Sequence, residues 1–268
     1  MLTDITLGQY YPGKSVIHRL DPRTKILGAL VYIVAVFLAA EPVSYIAATS
    51  FLFLVIAFSG LPFLLVFKSI KPLWVIILLT MSIHLFTGQG EVIWTWQFLS
   101  VTREGLALGI KMSLRLVLLL MISSVLTFTT SPIVLTDGIE ALLKPFKRFG
   151  VPAHELAMMM TIALRFIPTL LEETDRIMKA QTARGADFAS GNLLKRAQNL
   201  LPILVPLFIS AFRRADELAT AMEARCYRGG EGRTRMHELS YRWQDGAAGA
   251  AVASLMAVIA FLKWGAAV

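Results

Sequence analysis

The sequence predicts an all-α polytopic membrane protein with about five transmembrane helices and long amphipathic helices on the cytoplasmic side. Three observations carry that fold class. The chain is 56% hydrophobic and only 16% charged, with a mean hydropathy of +0.65, whereas ordinary globular domains are roughly 45–50% apolar; the excess must face lipid. Its apolar residues gather into five runs of low charge, most of them approaching the roughly 20 helical residues that cross a bilayer. Between the last two runs lie two long stretches whose apolar residues recur at alternating steps of three and four, the period of a helix face.

Residues 1–25 form a cytoplasmic N-terminal segment. It carries Asp4 and Asp21 and has no basic stretch leading into an apolar core, so a cleaved signal peptide is not expected. The string from Gly8 to Ser15 matches the phosphate-loop pattern G-x-x-x-x-G-K-[ST] letter for letter, but its context fails. Only the short Leu2–Leu7 run precedes it, Pro12 lacks a donor N–H, and Pro22 interrupts any helix begun at Lys14. A turn bearing glycine and proline is the expected structure.

Four spans follow within 26–130: Ile26–Ala40, Val43–Ser59, about Pro72–Thr87, and Gly105–Phe128. A last span, Gly246–Leu262, lies in 243–268. Of the 26 Lys and Arg, sixteen fall between Lys144 and Arg242, four precede the first span, and Lys68 and Lys71 lie between the second and third. Positive loops stay in the cytoplasm, which places the N-terminus inside and, after five spans, the C-terminus outside. Trp94 and Trp96 then read as interfacial anchors on the outer face. Lys111 and Arg115, four apart in the fourth span, either face a partner or cavity, or snorkel or meet an acidic neighbour near the outer face.

The net charge of +8 does not point to nucleic acid, because residues 131–242 interleave sixteen basic with twelve acidic residues. Cys226 is the single cysteine and makes no internal disulfide. His18, His84, His154 and His237 are scattered, without metal-ligand spacing. No catalytic cluster or nucleophile elbow is visible, so neither a cofactor nor an enzymatic reaction is expected of this chain.

The region 131–242 is the most informative. A short amphipathic piece, Val134–Phe149, ends at Gly150 and Pro152. One stripe then runs through Leu156, Met160, Ala163, Ile167, Leu170, Thr174 and Ile177. A second runs through Ala197, Leu201, Leu204, Phe208, Ala211, Ala215, Leu218 and Met222, with Gly191-Asn192 supplying the reversal between them. Pro168, Pro202 and Pro206 should bow or break these helices. Extended in phase, the stripes reach Gln181 and Arg184, and Arg225. The pattern D-x-x-x-x-A-x-x-A-R occurs twice, as Asp175–Arg184 and, 41 residues later, as Asp216–Arg225. A small residue before the arginine lets a partner's backbone approach, and the guanidinium offers a planar fork to a carboxylate or to helix-end carbonyls.

These features resemble the transmembrane T-component of energy-coupling factor (ECF) transporters, ABC-type importers of vitamins and metal ions. The resemblance rests on Leu20-Asp21-Pro22-Arg23-Thr24-Lys25 before the first span and on Ala183-Arg184-Gly185 and Ala224-Arg225-Cys226, which look like the family's two Ala-Arg-Gly signatures. It implies a non-catalytic coupling subunit in a bacterial cell membrane. Two cytoplasmic ABC ATPase subunits would dock on the helix ends at Ala183, Arg184, Gly185, Ala224, Arg225 and Cys226, and one substrate-binding S-component would sit in the membrane. Cys226 stands where the family pattern has Gly; a left-handed residue is less comfortable there, so the second helix is expected to continue to Gly229-Gly230. A permease of another ABC importer class, or a self-contained secondary carrier, is the alternative reading.

Overall fold

In the computed structural model, residues 10–87, 90–96, 99–186, 188, 193–230 and 238–265 are described. Outside these residues, or outside the described side chains, lie the Leu2–Leu7 run, Gly8 and Gln9 of the phosphate-loop string, the Gly191-Asn192 reversal, His237 and the indoles of Trp94 and Trp96. The elements in chain order are α1 (Pro22–Leu38), α2 (Pro42–Ser59), α3 (Phe63–Lys68), α4 (Trp74–Thr87), β1 (Val92–Trp96), β2 (Leu99–Thr102), α5 (Arg103–Thr129), α6 (Pro132–Leu143), α7 (Ala153–Ala183), α8 (Leu193–Ala224) and α9 (Trp243–Gly265). They divide into two compact units, one of residues 8–138 with 238–268 and one of residues 1–7 with 139–237.

The first unit holds the main core. Tyr32 of α1, Leu52 and Ile56 of α2, Leu118 of α5 and Ile259 of α9 are fully buried together. The Tyr32 hydroxyl, which could not be left unpaired there, donates to the Ala48 carbonyl at 3.1 Å. Outward, Ile46, Phe58, Leu64, Leu79 and Phe261 are exposed, as lipid-facing side chains must be when the interior alone cannot account for the composition. Proline opens α1 and α2, where its missing N–H removes no helical bond.

Helices α1 and α5 run antiparallel, each sending cations to the other's carboxyl end. Lys25 Nζ donates to the Thr129 carbonyl at the end of α5 (3.0 Å). At the opposite end Arg115 Nη2 donates to the Ala39 carbonyl (3.2 Å) and the Tyr45 hydroxyl (3.0 Å), and Lys111 Nζ to the Ala40 carbonyl (3.1 Å). The last carbonyls of a helix have no partners within it and carry partial negative charge, so cations belong there. Lys111 and Arg115 therefore bind main-chain carbonyls rather than an acidic neighbour.

Among the described residues, five helical stretches are long and apolar enough to cross a membrane: α2, the α3–α4 run Phe63–Thr87, α5, α7 and Trp243–Trp264 of α9. The number agrees with the sequence expectation, but the membership differs. α1, expected as the first span, has 17 residues, or ~25 Å at 1.5 Å per residue, one residue fewer than α2. α7, whose early part was expected to touch the membrane and whose later part to reach solvent, qualifies through its apolar first half. Its second half carries Glu172, Glu173, Asp175, Arg176 and Lys179, charges that lipid does not accommodate.

The connection before α5 is an antiparallel hairpin, pairing Thr95 with Ser100 and Trp96 with Leu99, which apolar periodicity alone did not disclose. Its last residue, Thr102, caps α5 by accepting from the Gly105 N–H at 3.1 Å. In the phosphate-loop string, residues 10–15 open no helix. The Ser15 hydroxyl lies 2.7 Å from His18 Nδ1, and His18 Nε2 donates to the Tyr11 carbonyl at 2.9 Å. Gly13 lies against that ring, where an added Cβ would come within 2.7 Å of it. Over the described residues 10–18 the turn is held by these contacts and by the Tyr11 N–H donating to the Phe128 carbonyl at 2.9 Å.

Candidate functional site: two arginine-capped helix ends

The second unit is built on α7 and α8, which pack on one another. Gly150, with φ of 85°, ends the turn before α7, and Glu155 sits in the helix's first turn, where the N-terminal partial charge favours it. Of the bowing or breaking expected at the prolines, no break occurs: α7 runs unbroken through Pro168, and α8 through Pro202 and Pro206. One reason is visible at Pro206. A proline there leaves the Pro202 carbonyl without its helical donor, and the Gln181 side-chain amide of α7 donates to that carbonyl at 3.5 Å.

The helices also meet at an ion pair, Arg214 Nη2 to Glu173 Oε2 at 2.7 Å. Gln181 with Pro202, and Glu173 with Arg214, show that α8 retreats as α7 advances, so the pair is antiparallel. Glu173 and Arg214 are themselves 41 residues apart, the offset of the D-x-x-x-x-A-x-x-A-R repeat. The positions two residues before each copy thus meet at this ion pair. Each arginine of the repeat lies eleven residues beyond it, ~16 Å along its helix, on opposite sides. The repeat was legible in the sequence; its pairing through Glu173 and Arg214 was not, although the shared offset is the signal that could have found it.

The second seam needs correction. Ile203 is buried and Leu207, Ser210, Ala211, Arg214, Leu218 and Met222 are half-buried, whereas Leu201, Leu204, Phe208 and Ala215 of the expected stripe are exposed. Between Leu200 and Phe212 the helix is apolar nearly all round, so heptad spacing alone could not choose a face. From Leu218 onward the expected phase holds, and it is this part that leads to Arg225.

Both ends close in the same way. In α7 the Ala186 N–H donates to the Gln181 carbonyl (3.0 Å) and the Gly185 N–H to the Thr182 carbonyl (2.9 Å). In α8 the Tyr227 N–H donates to the Met222 carbonyl (3.0 Å) and the Cys226 N–H to the Glu223 carbonyl (2.8 Å). These are paired Schellman closures, with Arg184 and Arg225 as the last residue of each turn and the next residue left-handed. Gly185 has φ of 89°, and Cys226 has φ of 56°, alone among described non-glycine residues in being positive. The expected continuation to Gly229-Gly230 is therefore overturned: α8 stops at Ala224, because the hydrogen bonds of the closure outweigh the ~1–2 kcal/mol that a side chain costs in this conformation.

Ala183, Arg184, Gly185, Ala224, Arg225 and Cys226 are all exposed, and among the described residues neither guanidinium has a hydrogen-bond or ion-pair partner. Cys226→Gly relieves the left-handed strain and returns roughly 0.5–1 kcal/mol of it as chain entropy. The thermal midpoint of the purified chain is expected to rise by up to about 2 °C, measured by scanning fluorimetry. A fall would show that the cysteine side chain stabilises the turn.

A family model described as cobalt transport protein (CbiQ) matches residues 13–237, a range that includes Leu20–Lys25 and both arginine ends. The energy-coupling factor transporter transmembrane protein EcfT of Acidaminococcus fermentans is 71% identical over 265 residues, covering 99% of each chain. The proteins of that name from Clostridium kluyveri and Bacillus subtilis are 55% and 47% identical, over 99% and 98% of this chain and 100% of each relative. The chain, a multi-pass cell membrane protein with two arginine-capped helix ends, belongs to the EcfT family of transmembrane components of energy-coupling factor transporters.

Proposed function

We propose that this chain links ATP hydrolysis by two cytoplasmic ATPase subunits to a membrane-embedded substrate-binding S-component, for uptake of a vitamin or metal ion. The observation that carries the reading is the duplicated helix end. Arg184 and Arg225 sit on the same closure, equally far from the crossing of α7 and α8, exposed and flanked by Ala183 and Ala224. Two equivalent handles suit two related subunits. Each guanidinium supplies a planar fork for a groove lined by carboxylates or helix-end carbonyls. The chain itself hydrolyses nothing; nucleotide chemistry belongs to the partners.

The exposed apolar face of α8, with Leu201, Leu204, Phe208 and Phe212, suits a membrane partner rather than water. The concentration of basic residues in 131–242 supports an orientation with that region and the N-terminus inside the cell and the C-terminus outside. The test is co-expression of the chain with candidate ATPases and a small membrane substrate-binding protein. All four subunits are expected to purify together and to take up substrate only with ATP. Transport by the chain alone would establish a secondary carrier. ATP-driven uptake through this chain without a separate membrane substrate-binding protein would establish another class of permease.

A further inference from the structure

The region 131–242 leaves the first unit after α5 and returns to it before α9, and four elements at this base meet one short run, Leu20–Lys25. Asp21 caps α1, accepting from the Arg23 N–H at 2.9 Å, while its own N–H donates to Asp245 Oδ1 at 2.7 Å. The other oxygen of Asp245 accepts from the Arg242 N–H at 2.7 Å, closing the first turn of α9. Arg23 Nη2 donates to the Leu239 carbonyl of the returning chain at 2.9 Å, and its guanidinium lies 4.5 Å from the centre of the Tyr241 ring. Lys25 Nζ holds the last carbonyl of α5. Pro22 and Ile26 pack against Gly138 of α6 so closely that an added Cβ would lie 2.9 Å from Pro22 Cβ.

Asp21 and Asp245 are 6% and 4% exposed, and buried ionic groups are a poor source of net stability but a good source of fixed geometry. From this arrangement we infer that Leu20–Lys25 is a positioning clamp: it fixes both ends of the 131–242 region, so that displacement of the arginine ends is passed into α1 and α9 rather than lost in slack joints. This rests on the coupling function proposed above. Without the clamp, partner binding and ATP hydrolysis persist, and the link to uptake fails.

The experiment uses the full complex in proteoliposomes and reads assembly, ATP hydrolysis and substrate taken up per ATP. Arg23→Met removes the contacts to Leu239 and Tyr241. It is expected to keep assembly and hydrolysis while lowering uptake per ATP by at least about fivefold, the lower edge of common coupling energies, with partial rescue in Arg23→Lys. Asp245→Asn, which weakens the Asp21 contact, provides the second variant should the first fail to accumulate. Unchanged uptake per ATP in either variant that accumulates overturns the clamp, and failure of both to accumulate assigns the run to folding alone and overturns it equally. If the unmutated chain recovers no ATPase, the coupling proposal itself has failed, an outcome seen before any variant is made.

Discussion

Replacing both Arg184 and Arg225 by alanine is expected to abolish recovery of ATPase subunits with this chain, and with it ATP-dependent uptake. Truncating an arginine at an interface hot spot costs at least about 2 kcal/mol, a loss of thirtyfold or so in affinity. The two sites lie on opposite sides of the helix crossing, on the order of 30 Å apart along the pair, so their losses add. Each single variant should retain weakened binding through the other end, and the double variant should lose it. Folding should be spared, because the side chains are exposed and the closures beneath them are made by backbone groups. Pull-down with tagged ATPase and thermal unfolding of the isolated chain separate the two effects. A double variant that assembles and transports like the unmutated protein would refute the assignment.

Arg115→Leu is the second change with a large expected effect, and it acts on stability rather than docking. A lipid-facing arginine replaced by leucine would gain about 3 kcal/mol on insertion scales. Arg115 instead holds the Ala39 carbonyl and the Tyr45 hydroxyl and lies 5.3 Å from the Phe37 ring centre. Charged hydrogen bonds are worth roughly 1.5–3 kcal/mol each, and a carbonyl left unpaired in an apolar setting adds a further penalty. The losses win, so the thermal midpoint in detergent should fall by several degrees, with Arg115→Lys intermediate and ATPase recovery unchanged for the folded fraction. A rise in the midpoint would show that the guanidinium is a tolerated cost and not a cap.

The fold class and most of the helix limits were legible because lipid imposes long uncharged runs, and because proline and glycine mark ends such as Pro42 and Gly150. The arginine ends were legible through phase and repetition. Three features were not, each for a physical reason. The left-handed Cys226 follows from hydrogen bonds that any backbone can make, and residue preference at that position is too weak to forbid it. The face α8 turns to α7 was misread over Leu201–Phe208 because a helix apolar on every side has no unique stripe. The clamp was invisible because its contacts join residues far apart, Asp21 with Asp245 and Arg23 with Leu239, and local periodicity carries no record of such pairs. Leu20–Lys25 stands out in the sequence only by family likeness, and the four elements that meet there leave no mark in it.

In the proposed assembly, the meeting of Glu173 with Arg214 lets one polypeptide grip a pair. Two-fold-related partners are ordinarily matched by a dimer, whose copies supply the same surface twice. This chain repeats only a helix end, and its two helices meet at residues that stand two positions before each copy. Under the proposed function it thereby acquires the two-fold grip of a homodimer, while its remaining helices stay free to be single and to carry the single passenger proposed above.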